Sequence, residues 1–471
     1  MAVITSVKNY IKKHKKGIFI SAAIAGGSYL AGRYAATKIR DIQEKATTER
    51  LAKENLKRRF QQNQNDCVFT VISLLPTLSD QILNEMNIEA EWAKLQKSRD
   101  LEKVEKKLKE EKETASLMKE EKEITEPIVI DENKEDQETV LKTTPNNLDA
   151  SVGSLSTSVH SDDSNNIPFP PGILDKKQKQ LIWETIKTKS FVRTFTSIYS
   201  ITLLTLLSHI QLNLLGRFTY LWSVSVLNKE EPTIRLQQEG DRADAGYLDP
   251  QVEHMFLSTS WWLLHRGWRG CAKQVQEAVD EIVSSIPLKS SLNHKEAEGL
   301  LQKLRRRIEY DEDGNLINFR NWMLPDTEEE ELEVLYGTGF EKQALYNKTS
   351  TITLRKLLDE TKDYIDSPDF GQVLSSCLNE VFAVFDHHAF ANLLPNLEGG
   401  VSSIKEVSQA EAQIIEQGKS LTLAKLLPII SRQAHLVIAG NEYLNAFAYI
   451  KELQAFSAMI YTQFDDEIIH K

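Results

Sequence analysis

Cysteine and histidine are the first residues to test for chemistry, and here their spacing offers little. Cys67, Cys271 and Cys377 lie more than a hundred residues apart with no CxxC partner, so neither a zinc site nor a disulfide framework is indicated. Free thiols in a reducing compartment are the expectation. His387 and His388 are adjacent and would point about 100° apart on a helix, which does not converge two ligands on one ion. Asp311-Glu312-Asp313-Gly314 resembles the start of a calcium loop only superficially, because the glycine comes fourth where that loop needs it sixth. The phosphate loop GxxxxGK[ST], the dinucleotide loop GxGxxG, the nucleophile elbow GxSxG and the zinc motif HExxH are all absent from the sequence. Nothing nominates a nucleophile, a base or a metal, so no cofactor is expected and the chain does not read as an enzyme.

The elements that would carry any binding chemistry are helices. Of 471 residues, 41% are hydrophobic and 27% charged, enough for a sizeable core. The 20 glycines and 13 prolines are about 7% of the chain, against roughly 12% in average proteins, and no regular β-runs are punctuated by Asn-Gly or Asp-Gly turns. The fold class read from this is all-α.

The net charge of −11 hides a division. Residues 1–60 hold fourteen basic and four acidic side chains, a balance of +10, which leaves 43 basic against 64 acidic, or −21, in the remainder. So acidic a body argues against nucleic acid as a partner. In the basic part, NYIKKHKK at Asn9 to Lys16 precedes sixteen uncharged residues, Gly17 to Gly32. Extended to Ala36 with Arg33 snorkelling, this segment approaches the roughly 20 residues needed to cross a bilayer. Ala23, Gly27, Ala31 and Ala35 give it one small-residue face. Basic residues flank it on both sides, so the positive-inside rule does not orient it. A cleaved secretory signal and a mitochondrial presequence are the competitors; the Lys clusters and the few unpaired cysteines favour an uncleaved anchor in contact with membrane lipid.

Residues 66–86 read as an apolar run interrupted at Pro76, with Thr77 or Ser79 as a helix cap, followed by a piece containing Trp92. Between Trp92 and Phe169 there is no aromatic residue, and Leu101 to Glu126 is dense in Lys and Glu before a Ser-rich stretch. This reads as an exposed charged helix running into disorder. From Ser190 to Leu227 comes the most hydrophobic sequence outside the anchor, with 23 uncharged residues between Arg193 and Arg217. Its regularly interleaved Ser, Thr, His and Asn favour a buried bundle helix over a second membrane span. Further helices are expected at 254–265, 272–286, 294–309, 353–364, 368–394, 422–439 and 441–464, with Ser367-Pro368-Asp369 a strong helix start.

Several strings, in this order and spacing, resemble the peroxisomal biogenesis factor 3 (peroxin-3) family, of a yeast type. They are NYIKKHKKG, KIRDIQE at Lys38 to Glu44, SLLPTL at Ser73 to Leu78, IQLNLLG at Ile210 to Gly216, LLDETKDYIDSPDF at Leu357 to Phe370, CLNEVF at Cys377 to Phe382 and LAKLLPI at Leu423 to Ile429. The resemblance runs nearly end to end. It implies a matrix-facing N-terminus, one transmembrane helix and an elongated cytosolic helical bundle; the long disordered insertion, read from composition, departs from the family in its length. The organisation expected is a short basic segment at 1–16, the anchor at 17–36, a basic helix and first bundle helices at 37–99, the insertion at 100–172 and the main bundle at 173–471.

What the resemblance implies about function is docking without covalent chemistry. The family receives peroxisomal biogenesis factor 19, the cytosolic chaperone and import receptor for peroxisomal membrane proteins, through an amphipathic helix. The family's docking motif appears here as KQLIWETIK, which makes Trp183 the anchor, with Ile186 one turn on and Lys179 one turn back. Positions i−4, i and i+3 share a helix face, as a groove for one apolar helix face requires. Leu95 and Lys97, at the positions of the groove's other wall, match poorly. The resemblance also admits inheritance and selective-autophagy factors as partners, and transit through the endoplasmic reticulum. The rival reading is a membrane-anchored helical enzyme or tether at the mitochondrial outer membrane or endoplasmic reticulum.

Overall fold

The computed structural model describes residues 38, 50, 54–122, 173–228, 248–340, 348–391, 394, 420–439 and 441–463. The sequence-predicted anchor at 17–36, the segment at 1–16 and residues 123–172 of the insertion lie outside them. By contacts the chain divides into two units, one comprising Cys67–Leu215 with Leu248–Gln463, the other Met1–Asp66, Gly216–Tyr247 and Phe464–Lys471. Of the second unit, the described parts are the first turns of one helix and the last turns of another. The functional residues discussed below belong to the first unit.

The architecture is all-α. In chain order the helices are α1 (Glu54–Glu85), α2 (Glu89–Lys122), α3 (Lys176–Asn228), α4 (Pro250–Ser258), α5 (Trp268–Ile282), α6 (His294–Glu309), α7 (Arg320–Met323), α8 (Glu328–Gly337), α9 (Lys348–Ile365), α10 (Pro368–Asp386), α11 (Leu423–Ala439), α12 (Asn441–Phe447) and α13 (Lys451–Thr462). Single π-turns follow at Leu263–Gly267 and His387–Ala391. The one sheet among the described residues is a two-residue antiparallel pair, β1 (Ser291–Leu292) with β2 (Leu421–Thr422).

α3 is the axis of the first unit. Its part within that unit, Lys176 to Leu215, is about 60 Å long, and from Ser190 to Gln211 every residue is buried. Most polar side chains of this buried stretch find a partner, although the Ser190, Thr196, Ser200 and Ser208 hydroxyls have none among the described residues. Ser197, Thr202 and Thr205 donate to the carbonyls of Arg193, Ile198 and Ile201, each at 2.8 Å, which satisfies the hydroxyl within the helix itself. Other polar groups bind neighbours: Thr194 donates to the Ile430 carbonyl (2.8 Å), Gln211 to the Phe256 carbonyl (3.0 Å), and Tyr199 to Glu309 (2.8 Å). His209 Nδ1 lies 2.9 Å from the Ser457 hydroxyl. Phe195 and Tyr199 pack against Phe382 of α10 at 5.3 and 5.5 Å. Thus α4, α6, α10, α11 and α13 ring the axis. The helix is long and apolar enough to cross a membrane, yet 94% of its apolar window is buried in protein; α1 also passes on length and composition, with 28% buried.

Local sequence sets most boundaries. Ser367 caps α10 by accepting from the Phe370 N–H (3.2 Å), with Pro368 in the first turn. Asn293–Glu296 and Thr327–Glu330 form reciprocal capping boxes on α6 and α8. The Asp311–Gly314 segment is a tight turn: Asp311 accepts from the Asn315 N–H (2.8 Å), and Gly314 has φ +82°. That conformation is why a glycine follows three acids there.

Several expected boundaries moved. The helix expected at 254–265 breaks after Ser258, where the Thr259 and Ser260 hydroxyls bond the Phe256 and Leu257 carbonyls (2.7 and 3.0 Å) in competition with the helix ladder. The expected helix at 441–464 is two, separated by Ala448–Ile450, and the one at 368–394 gives way to a π-turn after Asp386. α1, in contrast, runs unbroken through Pro76, which sits on its exposed side, where the carbonyl a proline leaves unpaired is open to water. α2 continues to Lys122, so the first part of the 100–172 segment is helical. Lys109 with Glu105 (2.8 Å) and Lys106 with Glu110 (3.9 Å) supply i,i+4 support there.

Candidate functional site

α2 lies antiparallel to the opening turns of α3, and the contact is set by polar residues at its end. The buried Ser98 hydroxyl accepts from the Leu174 N–H (3.0 Å) and donates to Glu102 (3.2 Å). Asp175 caps α3: its carboxylate accepts from the Lys176 N–H at 2.7 Å, while Gln178 accepts from the Asp175 N–H at 3.1 Å. Lys179, the first turn's rim residue, forms an ion pair with Glu102.

One turn on, Trp183 is half-buried between the two helices. Its ring meets the edge of Trp92 at 5.2 Å with an interplanar angle of 83°, and the Arg99 guanidinium lies 5.8 Å from its centroid. Both are favourable aromatic geometries. Leu181, two residues back and so about 160° away round the helix, is 69% exposed. Ile186, by contrast, is fully buried and supports the Trp183 shelf from below. Leu95 is buried in the α2 wall and Lys97 is exposed. Trp183 and Lys179 therefore belong to one surface, with Trp92, Arg99 and Glu102 of α2 completing it. The stripe Trp92, Leu95, Arg99, Glu102 has i, i+3, i+7, i+10 spacing, which is the signal in the sequence for these partners.

Below the shelf the helices are locked by charge. Lys187, 1% exposed, pairs with Glu184 (2.6 Å) and donates to the Ile286 carbonyl (2.9 Å). Arg193 is fully buried and holds both Glu89 oxygens at 2.8 Å, with the Ser431 hydroxyl at 2.9 Å. His435 Nε2 lies 3.1 Å from Glu89. Partial burial works to raise the Glu89 carboxyl, but hydrogen bonds from Arg193, its backbone surroundings and His435 outweigh it and hold the group down at about 2. This cluster ties α2, α3 and α11 together, and so fixes the angle at which α2 presents its wall to Trp183.

All three cysteines are buried and outside any disulfide, and desolvation pushes the Cys377 thiol up to about 12. His388 sits 2.8 Å from Glu442, and His294 3.1 Å from Asp386. No group of His, Cys, Asp and Glu among the described residues could hold a metal ion. Two open cavities of about 670 and 620 Å³ lie elsewhere, the first beside Pro368 and Phe370, the second beside Trp261.

The family model Peroxin-3 matches residues 9–463. The chain belongs to the Peroxin-3 family. Among its relatives, Peroxisomal biogenesis factor 3 of Yarrowia lipolytica is 26% identical, covering 97% of this chain and 99% of the relative. The human protein of the same name is 26% identical, covering 98% of each chain. That of Debaryomyces hansenii is 26% identical over 99% of this chain and the whole of the relative. Peroxin-3 membership supports a role in peroxisome biogenesis and membrane-protein import. It also supports membrane association.

Proposed function

We propose that this chain is a docking receptor for the cytosolic import chaperone of peroxisomal membrane proteins, peroxisomal biogenesis factor 19, which inserts one face of an amphipathic helix against Trp183. The observation carrying this reading is a half-buried tryptophan held by an edge-on Trp92 and an overlying Arg99. A pre-ordered aromatic at the margin of a rigid helix pair is the kind of residue that dominates binding energy, because little side-chain entropy remains to be lost on docking. Lys179 and Arg99 at the rim would steer an acidic flank of the partner helix. Docking transfers cargo without bond chemistry, so no catalytic group is required. Residues 17–36 would be the single membrane span, with 1–16 in the matrix, the bundle in the cytosol, and passage through the endoplasmic reticulum as one route of delivery.

The test is the affinity of the purified full-length protein, in lipid nanodiscs, for that chaperone. Trp183→Ala should lose at least about 2 kcal/mol, roughly 30-fold in Kd, with the helical content unchanged. Equal affinity of the variant and the parent would sink the assignment. Release of the protein by alkaline carbonate would separately defeat the membrane span.

A further inference from the structure

α8 has two faces. Val334 and Leu335 point into the core, while Glu329, Leu332, Glu333, Tyr336 and Gly337, at i, i+3, i+4, i+7 and i+8, form one outward stripe. Leu332 is 40% and Tyr336 45% exposed. With Trp261 they line the open trough of about 620 Å³. Its floor depends on Gly337: a Cβ there would meet the Trp261 ring at 2.6 Å, so only glycine lets the indole lie against the α8 backbone. Trp261 is held from behind by His265, stacked at 4.4 Å, whose Nδ1 lies 3.0 Å from the Trp261 carbonyl. A rigid, partly exposed tryptophan between two exposed apolar side chains is a preformed receptacle for another apolar side chain.

The charge around the trough indicates what fills it. α8 carries five glutamates and no basic residue. Three cations face them: Arg266 on Glu333 (2.5 Å), Arg355 shared by Glu328 and Glu331 (2.8 and 3.5 Å), and Lys362 on Glu331 (3.5 Å). Glu329, on the trough's rim, has no ion-pair partner among the described residues. An anionic membrane surface is repelled by this rim, and a second copy apposing the same face would set glutamate against glutamate. We infer that this trough docks a basic amphipathic helix of a protein partner, which places one large apolar side chain on Trp261, Leu332 and Tyr336 and a Lys or Arg on Glu329. The surface is separate from the Trp183 shelf in both its residues and its sign of charge.

The experiment uses full-length protein in phosphatidylcholine nanodiscs and a model helix of Leu and Lys about five turns long, carrying one photo-crosslinker on its apolar face. A Leu/Glu helix of the same pattern and empty nanodiscs are the controls. The Leu/Lys helix should bind, crosslink to Trp261 or to residues 329–337, and weaken as salt rises from about 0.1 to about 0.5 M. Leu332→Ser/Tyr336→Ser and, separately, Glu329→Lys should each lower affinity about tenfold or more. All three substituted positions are exposed, so folding is retained, and circular dichroism verifies it. Trp183→Ala should leave this binding unchanged, which separates the outcome from that of the import-chaperone test. Adducts at other sites, adducts within or between copies of the chain, equal binding of the Leu/Glu helix, or indifference to the substitutions would each overturn the inference.

Discussion

The opening turns of α3 and its middle are parts of one helix with opposite duties. From Ser190 to Gln211 every side chain is covered, and most polar side chains bond carbonyls and buried partners, while the Ser190, Thr196, Ser200 and Ser208 hydroxyls have none among the described residues. From Lys176 to Thr185 most side chains reach solvent, Leu181 and part of Trp183 among them. The buried stretch can be altered only at the expense of stability, whereas the tip can lose a side chain and remain folded. At the end of the buried stretch nearest the tip sits the Glu89–Arg193 cluster, which belongs to the scaffold but sets the geometry of the shelf.

The sharpest break in that division should come from Glu89→Ala. It strands the fully buried Arg193 guanidinium, and removing one partner of such a pair costs about 3–5 kcal/mol, less to the extent that water reaches the half-exposed Glu89 site. Denaturant unfolding should show this loss, and Glu89→Ala/Arg193→Leu should recover part of it. Full stability in the single variant would show that the cluster does not hold the helices.

A second effect is acid-dependent and belongs to the buried stretch. Burial holds His209 down to about 4, so between the ordinary histidine value near 6.5 and 4 the unfolded chain binds the proton that the folded chain refuses. Its contribution is therefore present in full above about 6.5 and lost as pH falls towards 4, by about 3 kcal/mol at most. His209→Gln should flatten unfolding free energy against pH across that window; an identical slope would exclude His209 as the cause.

At the tip the effects on stability should be small. Trp183→Ala gives up the edge-on contact with Trp92, about 0.5–1.5 kcal/mol plus lost packing, while its effect on partner affinity is much larger. Smallest of all is Lys179→Ala, since its ion pair with Glu102 is about one-third exposed on each side and worth about 0–1 kcal/mol. If Lys179→Ala destabilised the fold more than Trp183→Ala, the division between tip and shaft would fail.

Much of this was legible before any coordinates. Low glycine and proline content read as all-α, Ser367-Pro368-Asp369 read as a helix start, and the interleaved Ser and Thr of α3 read as burial in protein. The family resemblance nominates Trp183 and Lys179, and the fold places them on one surface. Trp92, Arg99 and Glu102 were not legible, because the distance from residue 92 to residue 183 in the chain hides a contact of 5.2 Å. α8 and its trough were also missed: an acidic run with a few apolar residues looks like a solvated surface until Trp261 is placed against Gly337.

By itself the sequence determined local matters, where the physics acts between near neighbours: caps, the periodicity of apolar residues, and the separation of a basic beginning from an acidic body. Tertiary structure decided the rest. Whether a long apolar helix is covered by protein, which carboxylate neutralises Arg193, and which of Ile186 and Leu181 faces solvent all depend on residues far away in the chain. Burial and ion pairing are properties of the space around a side chain, and only the folded chain defines that space.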